Sequence, residues 1–90
     1  MSDNIEDSPV RWTQAARRHH IGKASARHVM RSVEPTRTTT LGGAGSWLWV
    51  GTDERGRELE IIALDVAPPD DEPYLLVIHV MPTQLRGATP

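Results

Sequence analysis

Basic and histidine side chains are concentrated in one segment of this chain, between Arg11 and Arg37. That segment holds seven of the ten Lys and Arg residues and three of the four histidines, with Glu34 as its one acid. Lys and Arg hold anionic groups by charge, and histidine can exchange a proton near neutral pH. The segment predicts a surface for a phosphate-bearing or acidic partner, and it leaves open whether that surface also does chemistry.

Three of these basic residues have helical spacing. Lys23, Arg27 and Arg31 recur every four residues and form what we call the basic ridge, with His28 beside it. We expect them on a helix that runs from about Lys23 to Val33. Its core-facing stripe, at the i, i+3, i+4, i+7 spacing, is Ala26, Val29, Met30 and Val33.

A shorter helix is expected before this one. Thr13 is a good N-cap for a helix over Gln14 to His20, which would carry Arg17 and Arg18 near its end. Gly22 could adopt the left-handed conformation that stops it.

The second half of the chain reads as β-structure. Thr36 to Thr40 could form a short edge strand. The main strands are expected at Ser46 to Val50, Glu58 to Asp65 and Tyr74 to Met81. A turn over residues 52–56 joins the first two, with Gly56 at positive φ, and the second connection is a proline-containing loop. The predicted fold is therefore α+β, with two N-terminal helices packed on a three- to four-stranded antiparallel sheet.

The last strand carries apolar side chains toward both faces of the sheet. Strict alternation groups Leu76, Ile78 and Val80 on one face, and Leu75, Val77, His79 and Met81 on the other. The two helices can cover one face only, so we expect the other face to bind something. His79 is the lone polar residue of this strand and is placed by alternation on the open face.

Composition and the chain ends indicate the limits of the domain, its location in the cell and whether it binds a metal. We expect flexible tails over 1–10 and 87–90 around a single domain over 11–86. The chain has no Cys, no membrane-length apolar run and an acidic N-terminus, which predicts a cytoplasmic protein without disulfides. The four histidines lack metal-ligand spacing, so neither a metal nor a cofactor is expected.

Several short motifs resemble those of the BrnT/RelE-like small toxins of type II toxin–antitoxin systems. The run from Arg11 to Gly22, followed by a short amphipathic helix that closes at Glu34-Pro35, is similar to the family's opening. Residues 49–59 resemble its hairpin, and residues 76–80 occupy the place of its final apolar strand. Where the family ends that strand in a Ser-Ala-Arg-like triplet, this chain has His79, Val80 and Met81.

The resemblance implies a toxin that acts as a small endoribonuclease and is silenced by a cognate antitoxin protein. Its RNA target could be ribosome-associated mRNA, and a homodimer is left open. Because the strand lacks the expected basic residue, Arg86 is the residue that could replace it.

Metal-independent RNA cleavage needs proton exchange and cations that stabilise charge on phosphorus. His79 is the candidate acid or base, with Glu60 or Glu58 as its partner if strand pairing brings them together, and with Arg86 contributing a cation. The candidate phosphate-binding residues are Arg17, Arg18, Lys23, Arg27, His28 and Arg31. The alternatives are that His79 is a structural histidine, that the basic residues are merely solvated, and that the domain is a non-catalytic RNA- or protein-binding module of the same fold.

Overall fold

A computed structural model of the protein describes residues 9–17, 19–39 and 45–83. Within these ranges, five strands form one mixed sheet and one α-helix packs on it. The strands are β1 (Val10–Trp12), β2 (Thr36–Thr39), β3 (Gly45–Thr52), β4 (Glu58–Val66) and β5 (Tyr74–Pro82), and the helix is α1 (Lys23–Ser32). The spatial order is β1-β5-β4-β3-β2, with β1 parallel to β5 and every other neighbouring pair antiparallel.

The prediction of two N-terminal helices is wrong, because the first is only a single 3-10 turn over Ala15–Arg17. Thr13 does cap this turn, since the backbone N–H of Ala16 donates to Thr13 Oγ1 at 3.2 Å. Nucleating a helix is costly, and this basic segment has no apolar stripe that could offset the cost by packing. His20, at φ 58°, takes the left-handed conformation that was predicted for Gly22, and Gly22 is the extended N-cap of α1.

The prediction of a three- to four-stranded antiparallel sheet is also wrong, because β1 adds a parallel fifth strand. Val10 and Trp12 pair with Leu75 and Val77 of β5. Immediately after β1, the backbone N–H and the hydroxyl of Thr13 both donate to the carbonyl of Val77, at 3.1 and 3.0 Å. Parallel strands more than 60 residues apart are not joined by a tight turn, so no turn residues near β1 indicate that it pairs with β5.

The core lies between α1 and one face of the sheet. Ala26, Val29 and Met30 of α1 are buried against that face. The sheet contributes Trp49, Leu59, Ile61, Ala63, Leu75, Val77 and Val80, and Ala16 of the 3-10 turn joins them. We call this the helix face and the opposite one the open face. No helix in the described ranges is long and apolar enough to cross a membrane.

Most of the expected chain tails lies outside the described residues. Within 1–10, the structure describes Pro9 and Val10, and the carbonyl of Pro9 accepts a hydrogen bond from the backbone N–H of Leu75 at 2.9 Å. The end segment 87–90 is outside the described ranges altogether.

The close packing of α1 on β3 depends on Gly51. A Cβ atom at Gly51 would lie 2.9 Å from Val33 Cγ1 and 3.2 Å from Val29 Cγ1. We expect Gly51→Ala to lower the free energy of unfolding by about 1–3 kcal/mol, because the helix must move away from the strand. Denaturant unfolding measures the change. Gly22→Ala is the matched control, because its added methyl meets nothing within 4 Å. Equal stability of both variants would contradict this account.

Candidate functional site

A β-bulge in β5 decides which side chains reach the open face. Ile62 of β4 pairs with His79 and Ala63 pairs with Val77, so Ile78 is an extra residue in the ladder. Such a bulge shifts the alternation of every residue beyond it. Leu75, Val77 and Val80 therefore share the helix face, and His79 points to the open face.

This assignment corrects the faces that strict alternation predicts. His79 does not share a face with Leu75 and Val77, which are buried against α1, and Val80 does not share one with Leu76. A strand without the bulge would have turned the His79 ring toward the core beneath α1.

His79 and Glu60 meet on the open face. His79 Nε2 lies 3.3 Å from Glu60 Oε2, with 31% of the histidine side chain and 10% of the glutamate side chain exposed. The angles at this contact fall outside hydrogen-bond geometry, although the distance is that of an ion pair. The histidine side chain is the more exposed of the two, but its Nε2 atom is buried against Glu60, which lies beneath the surface.

The neighbouring backbone pairs lead along β4 and β5 toward the β3–β4 turn. The backbone pairs are Ile62 with His79, Glu60 with Met81, and Leu59 with Pro82. Beyond them, the hydroxyl of Thr83 donates to Glu58 Oε1 at 2.6 Å. Glu58 thus binds Thr83, and of the two candidate glutamates it is Glu60 that contacts His79.

The turn between β3 and β4 is organised by the buried Asp53. Its Oδ1 accepts the backbone N–H groups of Arg55 and Arg57, both at 2.9 Å. Its Oδ2 accepts Arg57 Nε at 2.9 Å and contacts Arg57 Nη2 at 2.8 Å. Gly56 has φ 83°, as the sequence predicted for this position. The Arg57 guanidinium is consequently held in one place, with 37% of its side chain exposed.

The surroundings of Asp53 change its acidity. Burial of the carboxylate raises its pKa. The hydrogen bonds from the backbone and side chain of Arg57 and from the backbone of Arg55, together with the Arg57 charge, outweigh that effect. The pKa of Asp53 therefore lies below the ordinary value of 3.8.

The basic ridge lies in the other layer of the molecule. Lys23, Arg27 and Arg31 are exposed on α1, which covers the helix face. Lys23 Nζ and Arg27 Cζ each lie 5.9 Å from the centre of the Trp12 ring, so the ridge continues onto β1 through a cation–aromatic cluster.

The remaining predicted phosphate-binding residues are divided between described and undescribed positions. His28 is exposed on α1 and Arg17 is exposed in the 3-10 turn. Arg18, and the predicted catalytic residue Arg86, lie outside the described residues. The structure thus brings His79 and Glu60 together and separates both from the basic ridge by the thickness of the sheet.

Two features of these surfaces escaped the sequence analysis. The Asp53–Arg57 network was not predicted, although an Asp four residues before an Arg across a Gly turn is a recognisable signal. The contact of Trp12 with the basic ridge was not predicted either, because it depends on the unpredicted strand β1. Trp49 is buried in the core.

Comparisons with known proteins found no similar family, protein or structure. No family model matches the chain, and neither characterised proteins nor solved structures include a significant match. In the described ranges, no group of three or more His, Asp or Glu side chains is placed to hold a metal ion.

The Asp53 network predicts a pH-dependent stability difference. Asp53→Asn removes the charged contacts with Arg57, and we expect it to cost about 1.5–3 kcal/mol at pH 7. Folding lowers the pKa of Asp53, so its charged contacts stabilise the wild type fully at pH values above the ordinary pKa of a carboxyl group. The stability difference between wild type and Asp53→Asn is then lost as the pH falls through the lower pKa of Asp53 in the folded protein. Thermal unfolding of both proteins from pH 7 down to pH 2.5 measures this convergence.

Asp65→Asn is the matched control for that experiment. Asp65 pairs with Arg37 at 2.8 Å, but about half of each side chain is exposed. Its loss should cost less than about 1 kcal/mol. A difference between wild type and Asp53→Asn that does not shrink in acid would contradict the role assigned to the Asp53 charge.

Proposed function

We propose that this protein is the toxin of a toxin–antitoxin pair, acting as a metal-independent endoribonuclease with a cognate antitoxin protein as its partner. The observation that carries the proposal is the contact between His79 and Glu60 on the open face of the sheet. The motifs similar to those of BrnT/RelE-like toxins support it, and the proposal does not depend on the two-helix fold that the structure overturned.

Each residue of the pair has a role that follows from its exposure. His79 takes the proton from a 2′-hydroxyl through Nδ1, since its Nε2 is buried against Glu60. The 2′-oxygen then attacks the adjacent phosphorus, the bond from phosphorus to the 5′-oxygen breaks, and that oxygen takes up a proton from water. The hydroxide that remains takes the proton back from His79, which restores the free imidazole. Glu60, which is mostly buried, positions the imidazole through its contact with Nε2. The products are a 2′,3′-cyclic phosphate and a 5′-hydroxyl.

Charge on phosphorus requires a nearby cation. Arg86 follows β5 by four residues and is the proposed source, since the basic ridge lies in the other layer.

Substitution of the pair tests the proposal. Induced expression of the wild type should arrest growth, and the purified protein should cut single-stranded RNA in the presence of a metal chelator. We expect His79→Ala to relieve the arrest and to lower cleavage by about 10²- to 10⁴-fold. Glu60→Gln should lower cleavage by a smaller factor, because it leaves the proton-exchanging ring in place.

The control variant is His19→Ala, which removes a histidine that follows the 3-10 turn and lies 60 residues before His79 in the sequence. It should retain both cleavage and growth arrest, and circular dichroism should show that all three variants remain folded. Normal growth and intact RNA with the wild-type protein would overturn the proposal.

A second candidate, a non-catalytic RNA- or protein-binding module, is favoured by the separation of the basic ridge from His79. Three exposed cations at helical spacing, extended by Trp12, form a surface that can hold an anionic chain without any contribution from the open face. Such a surface would bind the RNA backbone or an acidic segment of the antitoxin by charge.

Salt dependence tests this surface. If the three cations of the basic ridge each neutralise a phosphate of single-stranded RNA, log affinity should fall against log salt with a slope of about −2. Arg27→Glu should weaken binding and reduce that slope, whereas Arg55→Glu, in the β3–β4 turn, should have little effect. Fluorescence anisotropy with a labelled oligonucleotide measures both. Binding that is indifferent to salt and to Arg27→Glu would exclude the ridge as an RNA surface.

A further inference from the structure

A recess lies at the end of the sheet, where the β3–β4 turn meets the end of β5. It has a volume of about 250 Å³ and is lined by Gly56, Arg57, Glu58, Pro82 and Thr83. Its walls combine one carboxylate, one guanidinium, one hydroxyl and the apolar surface of a proline. This mixture suits a flat, polar ring better than a purely apolar ligand.

The recess adjoins the His79–Glu60 pair. Glu58 and Glu60 are alternate residues of β4, so both side chains leave the same face of the sheet, about 7 Å apart along the strand. The Thr83 hydroxyl donates a hydrogen bond to Glu58. In the backbone ladder, Met81 pairs with Glu60 and His79 pairs with Ile62. RNA bound along this part of the sheet would place a base in the recess and a nearby phosphate at His79.

The charges of the recess disfavour phosphate as its occupant. The Glu58 carboxylate would repel an anion, and the Arg57 charge is already balanced by the buried Asp53. Glu58 and Arg57 can instead bind a neutral ligand through hydrogen bonds. Glu58 donates nothing and can accept several bonds, of which Thr83 takes one. Arg57 has five N–H donors and uses two of them on Asp53.

Guanine is the RNA base that complements this pair of groups. Its Watson–Crick edge has two adjacent donors, N1–H and the N2 amino group, which a carboxylate can accept together. Its O6 and N7 are the acceptors that arginine binds in a bidentate manner. Adenine and cytosine present one amino group beside an unprotonated ring nitrogen, and uracil presents one N–H between two carbonyls, so none of them offers a carboxylate two adjacent donors.

We propose that the recess is a guanine-binding subsite in which Glu58 accepts from the base edge and Arg57 donates to its acceptors. The proposal deepens the proposed function, on which it rests, by assigning a base preference to RNA cleavage at His79. Asp53 acts here as a positioning residue, because it holds the Arg57 guanidinium at the wall of the recess.

Cleavage of matched oligonucleotides tests the preference. A single-stranded RNA with one guanosine among adenosines and uridines should be cut next to the guanosine, about ten- to a hundredfold faster than the same RNA with adenosine there. Replacing that guanosine by inosine removes only the N2 amino group and should lose a large part of the preference. Glu58→Gln should lower cleavage next to the guanosine to the rate at which the same variant cuts the adenosine-containing RNA. Glu72→Gln, an exposed acid in the β4–β5 connection, is the matched control and should change neither rate.

A binding measurement separates this proposal from the ribonuclease itself. Titration of the isotope-labelled protein with guanosine, inosine and adenosine 3′-monophosphates should shift the amide resonances of Gly56 and Thr83 with guanosine 3′-monophosphate first. The three ligands share one phosphate, so any difference among them reports on the base. His79→Ala should bind like the wild type, and Glu58→Gln should bind all three equally.

The outcomes are distinguishable. RNA cleavage without base preference, and equal shifts by the three nucleotides, would overturn the guanine subsite and leave the ribonuclease standing. Selective binding of the guanosine nucleotide by a protein that cuts no RNA would support the subsite and overturn the ribonuclease.

Discussion

The single extra residue in β5 is the constraint on which the open face depends. With Ile78 inserted between the Ala63–Val77 and Ile62–His79 pairs, the strand can bury Leu75, Val77 and Val80 against α1 and still present His79 on the opposite side. A β5 in strict alternation could not do both. The bulge thereby allows the same strand to contribute to the hydrophobic core on one face and to a polar contact on the other. Bulges that change the direction of a side chain in this way are frequent next to functional sites.

The rigidity of that face comes from its construction on strands. Glu58 and Glu60 lie on β4, one of the inner strands of the sheet, and His79 lies on β5, which pairs on both sides. At the end of these strands, the buried Asp53 fixes Arg57 through backbone and side-chain contacts. The positions of Glu58, Glu60 and His79 therefore follow from the strand ladder, whereas Arg57 is held in the turn by Asp53.

The distribution of charge gives the molecule two different surfaces. The basic ridge and Trp12 occupy the layer of α1 and β1, whereas the acidic side chains that contact His79 and Thr83 occupy the open face. One surface suits attachment by charge, and the other suits selective contacts and proton exchange. An RNA that used both would have to pass around an edge of the sheet, so the two surfaces can act independently.

The local patterns of the sequence determined a good deal of this protein. The apolar stripe of α1, the Gly56 turn and the approximate positions of β2 to β5 follow from periodicity and turn chemistry, which depend on neighbouring residues. His79 stood out because it is the polar residue of an apolar strand.

Tertiary structure alone decided the rest, since it depends on contacts between distant parts of the chain. Val10–Trp12, where the sequence predicted the end of a flexible tail and the start of the domain, forms a strand through its parallel partner in β5, more than 60 residues away. The face of His79, and its contact with Glu60, were settled by a bulge that no turn residue marks. The sequence by itself determined which residues could do chemistry, and only the fold decided which of them meet, because one inserted residue reverses the side of the sheet on which a side chain emerges.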